Sequence, residues 1–414
     1  MDILTANIIT LLVTGLLAFG VSFVLTPLVK KVALKRNWVV PPHPRRIHTK
    51  PMVSIGGVAI FAGFGLAVLV AVAVYGWLGP GWQNQDLVHI GLLLVGSSLI
   101  AGVSLVDDLK ELPARLRLIC QAVAAAIVVA PELYTPTRYL AWPAIVSTGS
   151  TLSPFTDKHV YFGAIIDSIN VPGGALKLAL LAIPFTLFWI VGMTNTVNWI
   201  DGLDGLAGGV VFIGATTLFV ENIFVKRDPN VLFPLTSSLL ALALACAILG
   251  FLPYNWHPAK IFMGDVGAMF LGYALAVISI IDGAKVAATL LVIGFPVLDV
   301  AWVITYRLLH KRSPFKPDRG HFHQRLLDLG LSQRQIVGIF YLICGVFGAV
   351  GIFVQDSVSK LIALVVLGLL LLPLFFYAAS RQTRAEIKAA HFKELENMPI
   401  NPVVPEKLES KKVK

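Results

Sequence analysis

Apolar residues fall along this chain in long, nearly unbroken runs, without the short alternation of half-buried strands or the polar face of a soluble helix. About eleven runs stand out, near 7–29, 54–77, 87–106, 115–131, 176–195, 205–225, 233–252, 265–282, 284–309, 332–354 and 358–379. A run of about 20 apolar residues crosses a bilayer as a helix, which satisfies all its own backbone hydrogen bonds. The pattern therefore predicts an all-α, polytopic integral membrane protein with about ten or eleven transmembrane helices. Acidic Asp2 and no basic residue precede the first run, which is too long for a signal-peptide core, so it reads as a retained first helix.

Composition sharpens this reading. The 414 residues are 57% hydrophobic and 14% charged, against about 25% charged in soluble domains, so a soluble enzyme is excluded. Cys120, Cys246 and Cys344 all lie inside apolar runs and share no motif, which argues against a disulfide or a thiolate metal site. The net charge of +10 would suggest nucleic acid in a soluble chain, but here its distribution decides. Lys30, Lys31, Lys35, Arg36, Arg45, Arg46 and Lys50 follow the first run; Lys110, Arg115 and Arg117 follow the third; Lys311, Arg312, Lys316, Arg319 and Arg325 follow the ninth. The alternate loops are poor in Lys and Arg: 78–86 has none, and 132–175 has only Arg138 and Lys158. Basic excess marks the cytoplasmic side, so the N-terminus is expected outside and the C-terminus inside. Residues 1–380 read as one transmembrane catalytic domain with an extracytoplasmic loop at 132–175. Residues 381–414 read as a charged cytoplasmic tail, Pro-interrupted and partly disordered.

Acidic residues are few, yet several cluster where apolar runs end, and charge near a bilayer core marks function by default. Asp107 and Asp108 close the third run; adjacent helical positions point about 100° apart, so the pair can serve two ligands. An acidic helix end at the interface would look the same. Denser is Asn195-Thr196-Val197-Asn198-Trp199-Ile200-Asp201-Gly202-Leu203-Asp204-Gly205, whose amides and carboxylates are the hard oxygen donors that Mg²⁺ accepts. The following helix would start beside it with free N–H groups suited to phosphate. Asn255 and Phe262-Met263-Gly264-Asp265-Val266-Gly267 add a further carboxylate and an aromatic ring. Phe262 suits stacking on a base and ordinary packing alike. Asp318-Arg319-Gly320-His321-Phe322-His323 places imidazoles and a guanidinium in one basic loop, a set that fits a diphosphate better than zinc. Asp299, inside the ninth run, either braces this site or pairs with a neighbouring helix. Arg45 to Lys50, ahead of Gly56-Gly57, either grips a phosphate or is a plain cationic interfacial loop. All these signals fall on loops that the charge bias assigns to one face.

In these motifs, and in their order, the chain resembles the polyprenyl-phosphate N-acetylhexosamine-1-phosphate transferase family over about positions 20 to 335. The resemblance implies that Asp107 and Asp108 are catalytic and flank the lipid phosphate. It implies that Asp201 and Asp265 hold Mg²⁺, or Mn²⁺ in its place, with Asn198 close by. Asp204 and Phe262 would meet the uracil of a UDP-sugar, and Lys50, Asn255, Arg319, His321 and His323 would complete substrate binding. His321-Phe322-His323 is similar to the branch that uses UDP-GlcNAc, whereas the pentapeptide-transferase branch reads His-His-His; Gln324 stands where the former often has another His. The expected reaction passes HexNAc-1-phosphate, GlcNAc-1-phosphate foremost, from UDP-HexNAc to undecaprenyl phosphate with release of UMP. The pentapeptide transferase is the alternative, and a membrane transporter is the alternative from another class. The expected partners are the UDP-sugar, the lipid phosphate and the bilayer, without nucleic acid; a homodimer is compatible with them.

Overall fold

The computed structural model describes residues 2–40, 51–133, 175–224, 234–281, 285–309, 311, 321–354, 359–370 and 373. The described chain is helical throughout; its one extended pairing is an isolated antiparallel bridge between Val40 and Met52. In chain order the helices are α1 (Ile3–Lys35), α2 (Gly57–Leu78), α3 (Asn84–Lys110), α4 (Ala114–Leu133), α5 (Ala175–Ile200), α6 (Leu206–Phe224), α7 (Leu235–Asn255), α8 (Gly264–Ile278), α9 (Val286–Leu309), α10 (Phe322–Asp328) and α11 (Gln333–Phe353). An apolar helix α12 (Ser359–Leu370) follows. Each predicted run thus meets a helix among the described residues, the last of them over Ser359–Leu370, and seven of these helices (α1, α2, α3, α6, α7, α9 and α11) are long and apolar enough to span a membrane. The added element is α10, whose seven residues are too few to show a period in the sequence.

The burial pattern suits a lipid solvent. In α1 the buried positions are mostly small or hydroxylated: Ala6, Thr10, Thr14, Ala18, Ser22 and Thr26. Their spacing of three to four residues makes one stripe, which packs against α2 and α7. Small residues let backbones approach closely where no hydrophobic effect drives helices together. Thr10, Thr14 and Thr26 return their hydroxyls to the carbonyl four residues earlier, at 2.8, 2.6 and 2.7 Å, so these three donors are satisfied within the helix. Leu12, Leu16 and Val24 lie on the outside of the same helix, where acyl chains would meet them.

Helix α8 is the centre of the bundle. Every residue in it except Asp265 is buried, and α2, α3, α5, α6 and α7 surround it. Fifteen residues span roughly 22 Å at 1.5 Å per residue, short of the ~30 Å hydrocarbon core. An interior helix can be this short, because protein rather than lipid covers its ends. Tyr273 fixes it to α4 by donating to the Ala124 carbonyl at 3.1 Å, and Trp189 of α5 donates to the Ala276 carbonyl at 3.2 Å.

The helices alternate in direction, so α3, α5, α7 and α9 end where α6, α8 and α11 begin. Hydrogen bonds tie together the opposite end: Thr236 to Asp86 at 2.8 Å, Asn222 to Ser237 at 3.0 Å, and a buried Lys360–Glu221 ion pair at 2.6 Å. Residues 1–369 form one compact unit, and 370–414 separate as a second, almost wholly outside the described residues. The predicted outer loop lies outside them too, except for its edges, where α4 extends to Leu133 and α5 begins at Ala175.

Candidate active site

The α3–α8 junction is the best-connected part of the site. The adjacent aspartates diverge, as helical geometry requires. Asp107 is buried and accepts from the Leu112 amide at 2.6 Å and from Arg117 Nη1 at 2.7 Å. Asp108 turns to α8, each of its oxygens accepting one backbone amide, from Asp265 and Val266, both at 3.0 Å. At the helix's own N-cap position Met263 offers no side-chain acceptor, so a carboxylate from another helix satisfies the orphan donors and complements the dipole. Gly264 makes this approach possible: its φ is +69°, and a Cβ there would lie 2.6 Å from Asp108 Oδ2 and collide with the Ser54 carbonyl. Asp265, one residue on, is half-buried and accepts from Asn198 Nδ2 at 2.9 Å and from Arg117 Nη1 at 3.0 Å. One guanidinium nitrogen therefore bridges Asp107 and Asp265.

The acidic loop 201–205 sits between α5 and α6. Asp201 is half-buried, and loss of hydration pushes its carboxyl up to about 8, helped by the negative charges of Asp265, Asp108 and Asp204. Asp204 accepts from the Ala259 amide at 3.0 Å and faces His257 Nδ1 at 2.7 Å. Asn255 is fully engaged: its Oδ1 accepts from Gly205 N at 3.1 Å, and its Nδ2 donates to the Ile261 carbonyl at 3.0 Å. Buried and satisfied at both ends, it is a strut between the acidic loop and the segment leading into α8. Tyr341 of α11 donates to the Gly205 carbonyl at 2.6 Å, and Arg334 to the His257 carbonyl at 3.0 Å, clasping the loop from the far side. Phe262 is half-buried, and its backbone pairs with Val53 and Gly56 at 2.9 Å each.

The histidines form a second wall. Asp299, deep in α9, faces His321 Nδ1 at 3.1 Å through one oxygen and accepts from the Phe322 amide at 2.8 Å through the other. It braces this site, which answers the question the sequence left open for it. The rings of His321 and His323 stack, 5.8 Å apart and 12° from parallel, and Trp199 lies 6.2 Å from His321. His323 is buried with neither ring nitrogen hydrogen-bonded among the described residues. Burial lowers its pKa to about 4, so it is neutral at ordinary pH.

The structure thus gathers Asp107, Asp108, Asn198, Asp201, Asp204, Asn255, Phe262, Asp265, His321 and His323 at one end of the bundle; Lys50 and Arg319 lie outside the described residues. Arg117, His257, Arg334 and Tyr341 escaped the sequence reading. Arg117 was visible only as one of several basic loop residues, His257 carried no motif, and Tyr341 looked like part of an apolar span. Their proximity to the acids comes from tertiary structure alone.

The donor set fits a hard divalent cation. Carboxylates and an amide supply oxygen, no cysteine is near, and the Asp201 carboxyl, raised first by burial, is raised further by neighbouring negative charges that a cation would relieve. No three acidic, imidazole or thiol side chains among the described residues close into a metal cage.

Comparison with known proteins places this arrangement. Residues 90–282, from α3 through α8, match the model of glycosyl transferase family 4. The chain is 32% identical over 360 residues to the probable undecaprenyl-phosphate N-acetylglucosaminyl 1-phosphate transferase of Bacillus subtilis (strain 168), covering 86% of this chain and 87% of that one. It is 31% identical over 362 residues to the decaprenyl-phosphate N-acetylglucosaminephosphotransferase of Mycobacterium leprae (strain TN), covering 82% and 83%. A phospho-N-acetylmuramoyl-pentapeptide-transferase of Staphylococcus aureus (strain JH9) matches at 33% over only 192 residues, 45% of this chain and 57% of that one. Similarity across nearly the full length of two such relatives, with the matched segment containing the α3–α8 junction, makes this chain a member of glycosyl transferase family 4.

Proposed function

We propose that this protein transfers N-acetylglucosamine-1-phosphate from UDP-N-acetylglucosamine to undecaprenyl phosphate and releases UMP, the first membrane step in making a cell-envelope polysaccharide. The observation that carries the reading is the α3–α8 junction, where Asp107, Asp108, Asn198 and Arg117 converge on Asp265 at the head of the central helix. The full-length relatives supply the substrate class through their names. The pentapeptide alternative has a match to less than half the chain, and the loop reads His321-Phe322-His323. A transporter reading gains nothing from carboxylates collected at one end of the bundle.

In the proposed reaction an oxygen of the lipid phosphate attacks the sugar-bearing phosphorus of the UDP-sugar. A new P–O–P bond forms, the bond to the UMP oxygen breaks, and UMP leaves with that electron pair. Such transfers depend on positioning and on neutralising charge rather than on covalent help. The adjacent aspartates and Arg117 orient the lipid phosphate, with Asp108 also fixing the first turn of α8. Asp201 and Asp265, with Asn198 beside them, would hold Mg²⁺, which when bound would neutralise charge on the diphosphate and the departing UMP. Asp204 and Phe262 receive the uracil, and His321 faces the diphosphate with the buried His323 stacked against it. The basic loops support a cytoplasmic position for this end.

The test is transfer from radiolabelled UDP-GlcNAc to undecaprenyl phosphate in detergent, with Mg²⁺ or with EDTA. Metal-dependent lipid labelling with UMP release supports the proposal; labelling only from another UDP-sugar changes the donor, and silence with every UDP-sugar overturns it. Asp265→Asn is expected to abolish transfer while folded protein still accumulates, and normal turnover in that variant contradicts the metal role.

A further inference from the structure

Asp299 is a buried acid that the reaction above does not use. It sits within α9 at 1% exposure, where a charged or polar group is costly unless it does something. Both of its oxygens are directed at the same short segment: Oδ2 to His321 Nδ1 at 3.1 Å, Oδ1 to the Phe322 amide at 2.8 Å. His321 is the N-cap residue of α10 and supplies no side-chain cap of its own. One carboxylate therefore fixes both the start of the helix and the ring that precedes it.

The consequence for His321 is specific. A carboxylate offers only acceptors, so the hydrogen of the pair belongs on Nδ1. That leaves Nε2 as the ring nitrogen available to a ligand, and the second hydrogen bond of the ring sets its orientation. The ring cannot tilt freely either, since it stacks on His323 and lies beside Trp199. His323 in turn rests against Gly202 of the acidic loop, where any side chain would collide with its Nε2. A continuous column thus runs from Asp299 through His321 and His323 to the loop holding Asp201.

We propose that Asp299 is a positioning residue for the transfer reaction: it pins His321 through Nδ1 so that, in the protonated ring, Nε2–H donates to the diphosphate of the nucleotide sugar. The proposal rests on the functional reading above and adds to it a residue that touches no substrate. Its sphere is the nucleotide sugar, because Asp107 and Arg117 serve the lipid phosphate from another wall.

The experiment is a double-mutant cycle with D299N and H321A in the full-length protein. The side-chain amide introduced by D299N keeps an acceptor for the Phe322 N–H, so α10 stays capped while the carboxylate partner of Nδ1 is gone. D299N is expected to lower kcat/KM for UDP-GlcNAc about tenfold, the scale of one charge-assisted hydrogen bond, with the KM for undecaprenyl phosphate unchanged. In the H321A background the same change is expected to cost nothing further, since Asp299 would act only through the ring. An equal loss in both backgrounds, a loss shared with the lipid substrate, or no loss at all overturns the inference. If the wild type transfers but H321A is unimpaired, the role of His321 fails; if the wild type transfers nothing, the functional reading itself fails. Should D299N not accumulate folded, ¹⁵N spectra of histidine-labelled wild type decide the matter: a His321 ring without hydrogen on Nδ1 overturns the inference.

Discussion

The behaviour of single carboxyls is where the site's chemistry is most open to measurement. Asp201 has an ordinary value of 3.8, and burial together with neighbouring carboxylates pushes it up to about 8 in the folded protein. Its folded value is the higher one, so its contribution to stability is full below the unfolded value and is lost as pH rises through 8. A divalent cation bound there must displace the same proton. Cation affinity is therefore expected to climb by up to about tenfold per pH unit towards 8 and then to level off. Mn²⁺ titration followed by electron paramagnetic resonance reads this directly, and Asp201→Asn is expected to flatten the slope. A wild-type affinity independent of pH would mean that Asp201 does not face the ion. His323 behaves in the opposite sense, remaining neutral because burial disfavours its charged form.

At the scale of elements, the spans were legible and their junctions were not. A bilayer demands long apolar runs, so α1 to α9 announced themselves in the sequence within a few residues. No comparable demand writes α10 into the sequence, because seven residues capped by a distant aspartate carry no periodicity of their own. Arg117 was hidden for a related reason: a basic residue after an inner helix end is already explained by topology, and only the packing of α4 against α3 brings it to Asp107. The α8 start was half legible, since Gly264 and Asp265 suggested a close approach but not that Asp108 supplies the cap. That arrangement makes Gly264→Ala informative. At φ +69° a Cβ costs about 1–2 kcal/mol from the left-handed backbone alone, and the Ser54 carbonyl stands in its way. The variant is expected to melt at a lower temperature in detergent and to lose transfer, because Asp265 moves with the helix. Unchanged melting and turnover would show that this turn has freedom the structure denies it.

For the molecule as a whole, the alternation of helices commits the two ends of the bundle to different surroundings. Single cysteines at Glu111 and Gly81, on the two ends of α3, are expected to react with an impermeant thiol reagent from opposite sides of sealed vesicles, Gly81 from the outside. The reverse result would put the site on the outer face and separate it from cytoplasmic nucleotide sugars. The bridging of Asp107 and Asp265 by Arg117, at 2.7 and 3.0 Å, reaches further than the reaction. It supplies Asp107 and Asp265 with a resident counter-ion, so the bundle is expected to stay folded without a captured one. Chelation is expected to silence the protein without melting it: EDTA-treated enzyme keeps a cooperative unfolding transition and regains full transfer when Mg²⁺ returns. Irreversible loss after chelation would assign the cation a structural duty as well. On the proposed Mg²⁺ dependence, a cell short of magnesium is expected to idle its stock of this protein without losing it.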